Sequence, residues 1–346
     1  MSTLHITRDG SVLRKVDEQL KVTIEKETII DVPLIKVDHV VVWGRVTVTP
    51  LTVRSLLEHG IEIVYLTTYG KYIGRLQPEF SKNSILRKAQ YKASDDKSKA
   101  EAISKALVYG KLANIRTILL RAGRSHNPED KVDEVGSNIA GVKIEEAIER
   151  IKVTIRKLKD AASVDEIRGH EGAGTAAYFG VFGELIKADG FSFDGRERRP
   201  PTDPVNALLS LGYVLLTSDM HTVCNIVGFD PYIGFLHSDK YGKPSLALDL
   251  VEEFRPVMVD SLVLSLINKK VIQIDDFEVE LGKVYKLKDS AFKKFLQHYE
   301  EKKRAEIKHP LFDYKATYFK SFELQARLLG KFISGEIEEY IPFLIK

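Results

Sequence analysis

Cysteine is nearly absent from this chain, which has Cys224 alone among its 346 residues. A single cysteine excludes a disulfide framework and a cysteine-rich zinc site. No run approaches the roughly 18 consecutive apolar residues of a membrane-spanning helix, and the first residues have neither the basic nor the apolar segment of a signal peptide. We therefore expect a protein of the reducing cytoplasm without a membrane segment.

Net charge is also small, because 52 basic and 49 acidic residues leave +3 at neutral pH. The chain as a whole is not a polycation, so any nucleic-acid surface must come from local clustering of basic residues. Apolar residues, at 44%, lie near the average for globular proteins. At roughly 150 residues per domain, the length predicts two domains.

The pattern of the sequence changes near residue 80. Before it, β-branched runs such as 40–43 and the alternation of apolar and polar residues at 20–25 are typical of strands. After it, apolar residues recur at helical spacing over long segments. We predict an α+β protein with a β-rich N-terminal domain at 1–80, a linker at 81–93 and a larger all-helical domain at 94–346 that carries a small hairpin.

Basic residues are concentrated between positions 82 and 124, where there are eleven Lys and Arg but three acids. Lysines spread along one helix, Lys88 and Lys92 among them, are typical of a surface that binds a phosphate backbone. A solvated helix face without a partner has the same composition. The pattern therefore favours DNA binding and a plain solvated surface about equally.

Two segments carry polar residues of the kinds used in catalysis. In 167–179, small residues allow a helix to pack closely against a neighbour, and Glu171 is predicted in its first turn. His237 ends the turn-rich segment 228–237. Each residue also has a structural interpretation, the glutamate as an acid favoured by the helix dipole and the histidine as a cap or core filler.

A third such segment is the helix predicted at 246–268, in which Asp249 and Glu252 are three residues apart. That spacing makes the two carboxylates neighbours on one helix face, among apolar residues. Like charges in such a setting are tolerated when a cation lies between them or when one is protonated. The alternative is that both point to solvent and pair with Lys243 or Arg255.

Together these segments offer one histidine and two or three carboxylates from separate parts of the chain. Such a set matches a site for Mg²⁺ or Mn²⁺, because hard oxygen ligands suit both ions and Mn²⁺ tolerates an imidazole. In a chain with a basic stretch, the ion would polarise a phosphodiester and hold the attacking oxygen in line. The reaction class predicted from these residues is phosphoryl transfer at a nucleic acid.

Four motifs occur in this chain, RGHEGAG at 168–174, RRPPTDPVNALLS at 198–210, GFLH at 234–237 and LDLVEEFRP at 248–256. In content and order they resemble the CRISPR adaptation integrase family, metal-dependent DNA endonucleases that insert spacers into a CRISPR array. The resemblance covers essentially the whole chain. It implies a β-rich domain that dimerises and contacts DNA ends, followed by a helical catalytic domain.

The resemblance also implies a set of site residues. The family's metal ligands correspond to Glu171, His237 and Glu252, with Asp249 as a supporting acid. Many relatives have aspartate at the position of Glu252, so the direct ligand on this helix is either Glu252 or Asp249. Besides Lys88 and Lys92, the candidate contacts to DNA are Lys243, Tyr213, Arg198 and Arg199. The tyrosine equally fits core packing, and the two arginines equally fit a solvated loop.

The implied activity is attack of a DNA 3′-hydroxyl on a phosphodiester, a transesterification, together with the cutting of branched DNA. The implied partners are double-stranded DNA with free 3′ ends, CRISPR repeat DNA, a second copy of this chain in a homodimer, and a small non-catalytic CRISPR adaptation protein. Two other functions stay open, a catalytically idle DNA-binding scaffold of the same fold and an RNA-directed nuclease.

Overall fold

A computed structural model describes residues 2–79, 81–124, 139–197, 201–237, 240–280 and 284–345. The chain divides into two compact units, Met1–Lys82 and Asn83–Lys346. The first consists mainly of strands and the second mainly of helices, so the predicted α+β class is confirmed.

The described residues of the first unit form two four-stranded sheets, one α-helix and a short 3-10 helix at Leu34–Lys36. One sheet has the order β1-β5-β7-β8, in which β8 is antiparallel to three parallel strands, and the other has the order β4-β3-β2-β6. The elements are β1 (Thr3–Ile6), β2 (Val12–Val16), β3 (Gln19–Ile24), β4 (Glu27–Pro33), β5 (His39–Trp43), β6 (Thr47–Val48), α1 (Pro50–Glu58), β7 (Glu62–Leu66) and β8 (Tyr72–Leu76).

The position of each strand follows from its apolar pattern. β5 lies between β1 and β7 and is buried along its whole length, as a continuous apolar run predicts for a parallel strand. β3 alternates instead, and Leu20 and Val22 pack into the core while Lys21 does not. α1 begins with Pro50 at its first turn and is followed by Gly60 at φ +74°.

Where the structure describes it, the second unit consists mainly of helices α2–α10 and two small antiparallel ribbons. Its elements are α2 (Ser84–Asp95), α3 (Lys97–Arg124), α4 (Ile139–Asp160), α5 (Val164–Phe179), α6 (Pro204–Val227), α7 (Ser245–Phe254), α8 (Ser261–Asn268), β9 (Phe277–Glu280), β10 (Val284–Leu287), α9 (Asp289–Arg304), β11 (Glu306–Lys308), β12 (Lys315–Thr317) and α10 (Tyr318–Ile333). β9 and β10 form the predicted hairpin, whereas the ribbon of β11 and β12 was not predicted.

The predicted linker at 81–93 is wrong for most of its length, because α2 occupies it. The Asn83 side chain accepts a hydrogen bond from Leu86 N, which caps the helix start. The buried face of α2 consists of Leu86, Gln90 and Ala93. A glutamine and an alanine on that face leave little apolar periodicity, which is why the sequence pattern missed the helix.

The helix predicted at 246–268 is interrupted. α7 is followed by a π-helical segment, Arg255–Asp260, before α8 begins. Pro256 has no backbone N–H to donate within this segment, so the regular i to i−4 pattern cannot continue through it. The interruption lies immediately after the carboxylates of α7.

Among the described residues, α6 is one helix that is long and apolar enough to cross a membrane by length and composition. Most of it is buried inside the second unit, where it packs against α7 and α10. Its apolar character is therefore explained by its place as a core helix.

Candidate metal and nucleic-acid site

Glu171 lies in the middle of α5, not in its first turn as the sequence pattern predicts. Ser163 caps this helix by accepting a hydrogen bond from Glu166 N, and α5 begins at Val164. The Ser-x-x-Glu spacing of 163–166 is a recognised helix-start pattern, and it correctly predicts that α5 begins after Ser163. Because Glu171 is two turns inside the helix, the helix dipole does not account for its position.

α5 packs closely on α3, as its small residues suggest. A Cβ atom on Gly174 would overlap the Leu112 side chain of α3, so a larger residue there would require Leu112 to move. Glu171 is one turn earlier on α5, and its carboxylate accepts a hydrogen bond from Thr175 Oγ1 at 2.8 Å. The close packing brings this carboxylate to the surface of α3 at Lys111.

Lys111 lies in this site, although the sequence pattern did not predict it there. Its ammonium contacts Glu171 Oε1 and lies 2.8 Å from Glu252 Oε2, and its side chain is only 5% exposed. It therefore bridges carboxylates from two helices. Its helical spacing could have indicated its burial. Lys111 is seven residues after Ser104 and four before Ile115, so the three residues share one face of α3, and both neighbours are buried. A lysine on a buried face needs an anionic partner.

Asp249 organises the loop that carries His237. Its Oδ2 accepts hydrogen bonds from Phe235 N at 2.6 Å and Leu236 N at 3.0 Å, and its Oδ1 accepts one from His237 N at 2.9 Å. The same Oδ1 lies 2.7 Å from His237 Nδ1. The carboxylate is therefore occupied by the loop, and it orients the imidazole so that Nε2 lies 3.7 Å from Glu252 Oε1.

Gly234 allows this loop to approach α7. A Cβ atom at this position would lie 2.7 Å from Ser245 Cβ and 2.8 Å from Asp249 Oδ2. Both distances are shorter than van der Waals contact, so a larger residue would push the loop away from the carboxylate. The glycine of the GFLH motif thus has a packing role in holding His237 in place.

Glu252 is fully buried and carries a negative charge. Burial alone would raise its pKa, but the charges of Arg255, Lys111 and His237 together lower the pKa to about 2. Arg255 Nη1 lies 3.1 Å from Glu252 Oε1, so the ion pair expected from the structural alternative does form. It forms inside the protein rather than in solvent, next to Lys111 and the imidazole.

Tyr213 supports Arg255 rather than presenting its hydroxyl to solvent. The hydroxyl donates to Asp260 Oδ1 at 2.6 Å, and the guanidinium of Arg255 lies 5.1 Å from the ring centre. The guanidinium of Arg196 also stacks on this ring, at 5.4 Å. Burial raises the pKa of Asp260 to about 6, although the Tyr213 hydroxyl lowers it. The hydroxyl of Tyr213 is thus directed at Asp260, and its ring contacts two arginines.

The other candidate DNA contacts differ in burial. Lys243 precedes α7 and is partly buried, and burial lowers its pKa, helped by the positive charges of Lys240 and Arg168. Lys88 and Lys92 are exposed on α2. Arg198 and Arg199 lie outside the described residues.

Within the described parts of the chain, no three His, Cys, Asp or Glu side chains are placed to hold a metal ion as they stand. The donor chemistry nevertheless fits a hard divalent cation. Three carboxylates (Glu171, Asp249 and Glu252) share the site with two fixed cations, Lys111 and Arg255. The three carboxylates outnumber the two cations by one, and Nε2 of His237 lies 3.7 Å from Glu252 Oε1.

Glu253, next to Glu252, turns away from this site and binds the C-terminal segment. Its carboxylate accepts hydrogen bonds from the Tyr340 hydroxyl, Phe343 N and Gln325 Nε2. Burial nevertheless raises its pKa to about 7, against the lowering effect of these three donors.

The raised pKa of Glu253 predicts a pH dependence of stability. Because the folded state holds this proton more tightly than the unfolded state, stability is full below about pH 4.5 and is lost as the pH rises through about 7. Relative to Glu253→Gln, the wild type should lose about 3 kcal/mol of unfolding free energy over that range. Urea unfolding of both proteins between pH 4.5 and 8 tests this, and parallel pH curves would contradict it.

The sequence of this chain is similar to those of known proteins of one family. The sequence model of the family described as CRISPR associated protein Cas1 matches residues 4–301. A CRISPR-associated endonuclease Cas1 of Rhodospirillum rubrum is 41% identical over 100% of this chain and 99% of its own length. One of Chlorobaculum tepidum is 38% identical over 99% and 98%.

Solved structures share the fold at lower identity. A Cas1 protein from Thermotoga maritima superposes with a TM-score of 0.80 at 23% identity, covering 97% of each chain. A casposase bound to integration product gives a TM-score of 0.82 at 24% identity, covering 98% of this chain and 92% of that one.

Proposed function

The chain belongs to the CRISPR-associated Cas1 family, and from that premise we propose that it is a metal-dependent DNA endonuclease and integrase that inserts DNA into a CRISPR array. The relatives of Rhodospirillum rubrum and Chlorobaculum tepidum, named as CRISPR-associated endonucleases, support the nuclease activity. The casposase of similar fold, bound to its integration product, supports strand insertion as the reaction type.

One observation carries the proposal. Glu171, His237 and Glu252 come from three separate parts of the chain, and Lys111 and Asp249 join them into one group of charged side chains. A scaffold without catalysis has no need for a buried glutamate whose pKa lies near 2 beside an oriented imidazole. Lys111, Glu171 and the two acids lie on α3, α5 and α7, and His237 lies on the loop that Asp249 holds.

We propose that Glu171, His237 and Glu252 hold Mg²⁺ or Mn²⁺. When bound, such an ion supplies Lewis-acid polarisation of a phosphodiester. The direction of each side chain favours one of the two candidate acids of α7. The carboxylate of Asp249 accepts hydrogen bonds from three backbone N–H groups and contacts His237 Nδ1. Glu252 instead faces the imidazole Nε2 and Lys111. Glu252 is therefore the proposed ligand and Asp249 the residue that positions His237.

The remaining residues prepare the site for a phosphate. The Nδ1 atom of His237 is held against Asp249 at 2.7 Å, which keeps Nε2 directed at the carboxylates. Lys111 and Arg255 hold Glu252 in its charged form. Lys243 and Arg168, whose positive charges are close enough to influence each other, are proposed to contact the phosphodiester that a DNA 3′-hydroxyl attacks.

The proposed partners are double-stranded DNA with free 3′ ends, CRISPR repeat DNA, a second copy of this chain and a small non-catalytic adaptation protein. A structure described as a Cas6-RT-Cas1–Cas2 complex has a chain of the same fold, at a TM-score of 0.81 and 23% identity, of which this chain covers 36%. That complex supports assembly with a companion protein.

The basic residues of α2 and of the first turn of α3 give a prediction about DNA affinity. Replacing Lys88, Lys92 and Lys99 with alanine should weaken binding to every DNA sequence alike, because these lysines are expected to contact phosphates. Each lost contact should reduce the slope of log affinity against log salt by about 0.9. Fluorescence anisotropy from 50 to 300 mM salt measures both quantities. An unchanged affinity and salt slope would show that these three lysines do not contact DNA.

The function itself is tested by incubating the wild-type protein with a labelled DNA duplex and a plasmid that carries a CRISPR repeat. We expect joined product with Mn²⁺ or Mg²⁺ and none with EDTA. DNA binding that persists without cleavage or joining under any metal would indicate an idle scaffold. Activity on RNA alone, lost when the 2′-hydroxyl is removed, would indicate the RNA-directed nuclease.

A further inference from the structure

Gln90 of α2 is fully buried and uses its whole amide on a single loop. Its Nε2 donates to Asp230 O and to Ile233 O, both at 2.8 Å, and its Oε1 accepts from Asp230 N at 2.9 Å. These partners are about 140 residues away in sequence, in the segment that ends at His237. A buried amide with three hydrogen bonds to one loop defines the path of that loop.

The loop is therefore held by two side chains, and Leu246 N of α7 also donates to Pro231 O at 3.0 Å. Gln90 fixes residues 230–233, and Asp249 fixes residues 235–237 from α7. Between them lies Gly234, where a side chain would collide with α7. A displacement of the first half of the loop would therefore be passed to the second half and to the imidazole.

Tyr91 adds a contact at the surface. Its hydroxyl donates to Asp230 Oδ2 at 2.9 Å, and its side chain is partly exposed. Lys88 and Lys92, the proposed phosphate contacts, lie on the same two turns of α2. One face of this helix thus holds the loop of His237, while the other is exposed and basic.

We propose that Gln90 is a positioning residue for the reaction, which sets the orientation of the His237 imidazole by fixing its loop to α2. The proposal rests on the proposed function, because it assigns His237 to the metal site. Gln90 is not a catalytic residue, since the amide contacts backbone groups and not the reacting atoms. It acts on the site through Ile233 and Gly234.

The chemistry of the amide makes the effect of substitution specific. Gln90→Met keeps most of the side-chain volume but leaves two buried carbonyls and one N–H without their partner. Gln90→Glu keeps the acceptor for Asp230 N but places a second oxygen against two carbonyl oxygens. Gln90→Asn keeps the amide on a shorter side chain and should have an intermediate effect. Tyr91→Phe removes only the surface hydrogen bond and should have a small one.

The experiment compares these variants with Gln297→Met, a control on the exposed face of α9. Three quantities are measured on the full chain: Mn²⁺ affinity by electron paramagnetic resonance, DNA affinity by anisotropy, and the rate of strand joining at saturating DNA. Imidazole signals of ¹⁵N-histidine-labelled protein report the orientation and tautomer of His237 directly. Thermal unfolding checks that each variant is folded.

For Gln90→Met and Gln90→Glu we expect Mn²⁺ affinity and joining rate to fall by roughly tenfold or more, as for residues that orient metal ligands. DNA affinity should stay within about twofold, and the His237 signals should shift. Wild-type Mn²⁺ affinity and unchanged His237 signals in folded Gln90→Met or Gln90→Asn would overturn the proposal. If the wild type joins no DNA, the proposed function fails, while metal affinity and the imidazole signals still test the role of Gln90.

Discussion

Replacing Glu252 with glutamine should abolish metal-dependent cleavage and joining of DNA and should also destabilise the protein. The carboxylate is the proposed metal ligand on α7, and it balances the charges of Lys111 and Arg255. Its removal leaves those buried cations with one partner fewer, which costs about 3–5 kcal/mol when a buried ion pair is broken. We expect Mn²⁺ affinity to fall below detection in an equilibrium titration.

The two effects of this substitution are separable. In the double variant Glu252→Gln and Lys111→Met, one cation leaves together with the anion, so much of the lost stability should return. Mn²⁺ binding and activity should not return, because the ligand is still absent. Glu253→Gln is the matched control, since it changes the neighbouring buried glutamate that faces the C-terminal segment and should keep wild-type metal affinity. A folded Glu252→Gln protein with normal Mn²⁺ affinity would contradict the assignment.

Glu252 also makes stability depend on pH, with a sign opposite to that of Glu253. The pKa of Glu252 is lowered to about 2, so its stabilising charge is fully present above about pH 4.5 and is lost only as the pH falls toward 2. As the pH falls, Glu253 is therefore protonated first, near pH 7, and the contacts of Glu252 with Lys111 and Arg255 weaken only as the pH approaches 2.

The second large effect is expected for Asp249→Asn. Asparagine has one acceptor oxygen where Asp249 uses two, and its NH₂ group would face backbone N–H donors of the loop. The loop should move, and His237 should lose the partner that holds Nδ1. Because orienting partners of metal ligands typically contribute 10- to 100-fold, we expect Mn²⁺ affinity and joining rate to fall by roughly that factor.

The control for Asp249→Asn is Asp230→Asn, in the same loop. The carboxylate of Asp230 accepts from Tyr232 N and from the Tyr91 hydroxyl at the surface, so its loss should have a much smaller effect on metal affinity. Isothermal titration with Mn²⁺ measures both variants. Complete loss of binding in Asp249→Asn, with binding kept in Glu252→Gln, would reverse the roles given to the two acids.

The i, i+3 spacing of Asp249 and Glu252 placed both acids on one helix face, but only the structure separates their roles. Their side chains point to different partners, one to loop backbone and the other to Lys111 and Arg255. Such directions depend on which elements pack against α7, and spacing along one helix does not contain that information. The α+β class, by contrast, follows from local apolar patterns and was predictable.

Lys111 and Gln90 show why part of the site was not predictable. Lys111 meets its partners across 60 and 141 residues of sequence, and Gln90 meets its loop across about 140. In a local pattern both residues read as polar positions on a helix surface. Their burial, which makes them functionally informative, arises only when α2 and α3 pack against the loop and α7.

Crystallographic anomalous scattering from protein crystals grown with Mn²⁺ tests the central assignment most directly. The account predicts one strong anomalous peak within coordination distance of Glu171, Glu252 and the Nε2 atom of His237, with Asp249 still hydrogen-bonded to the loop and Lys111 displaced from between the carboxylates. A peak bound elsewhere, or no peak with those three side chains directed apart, would contradict it.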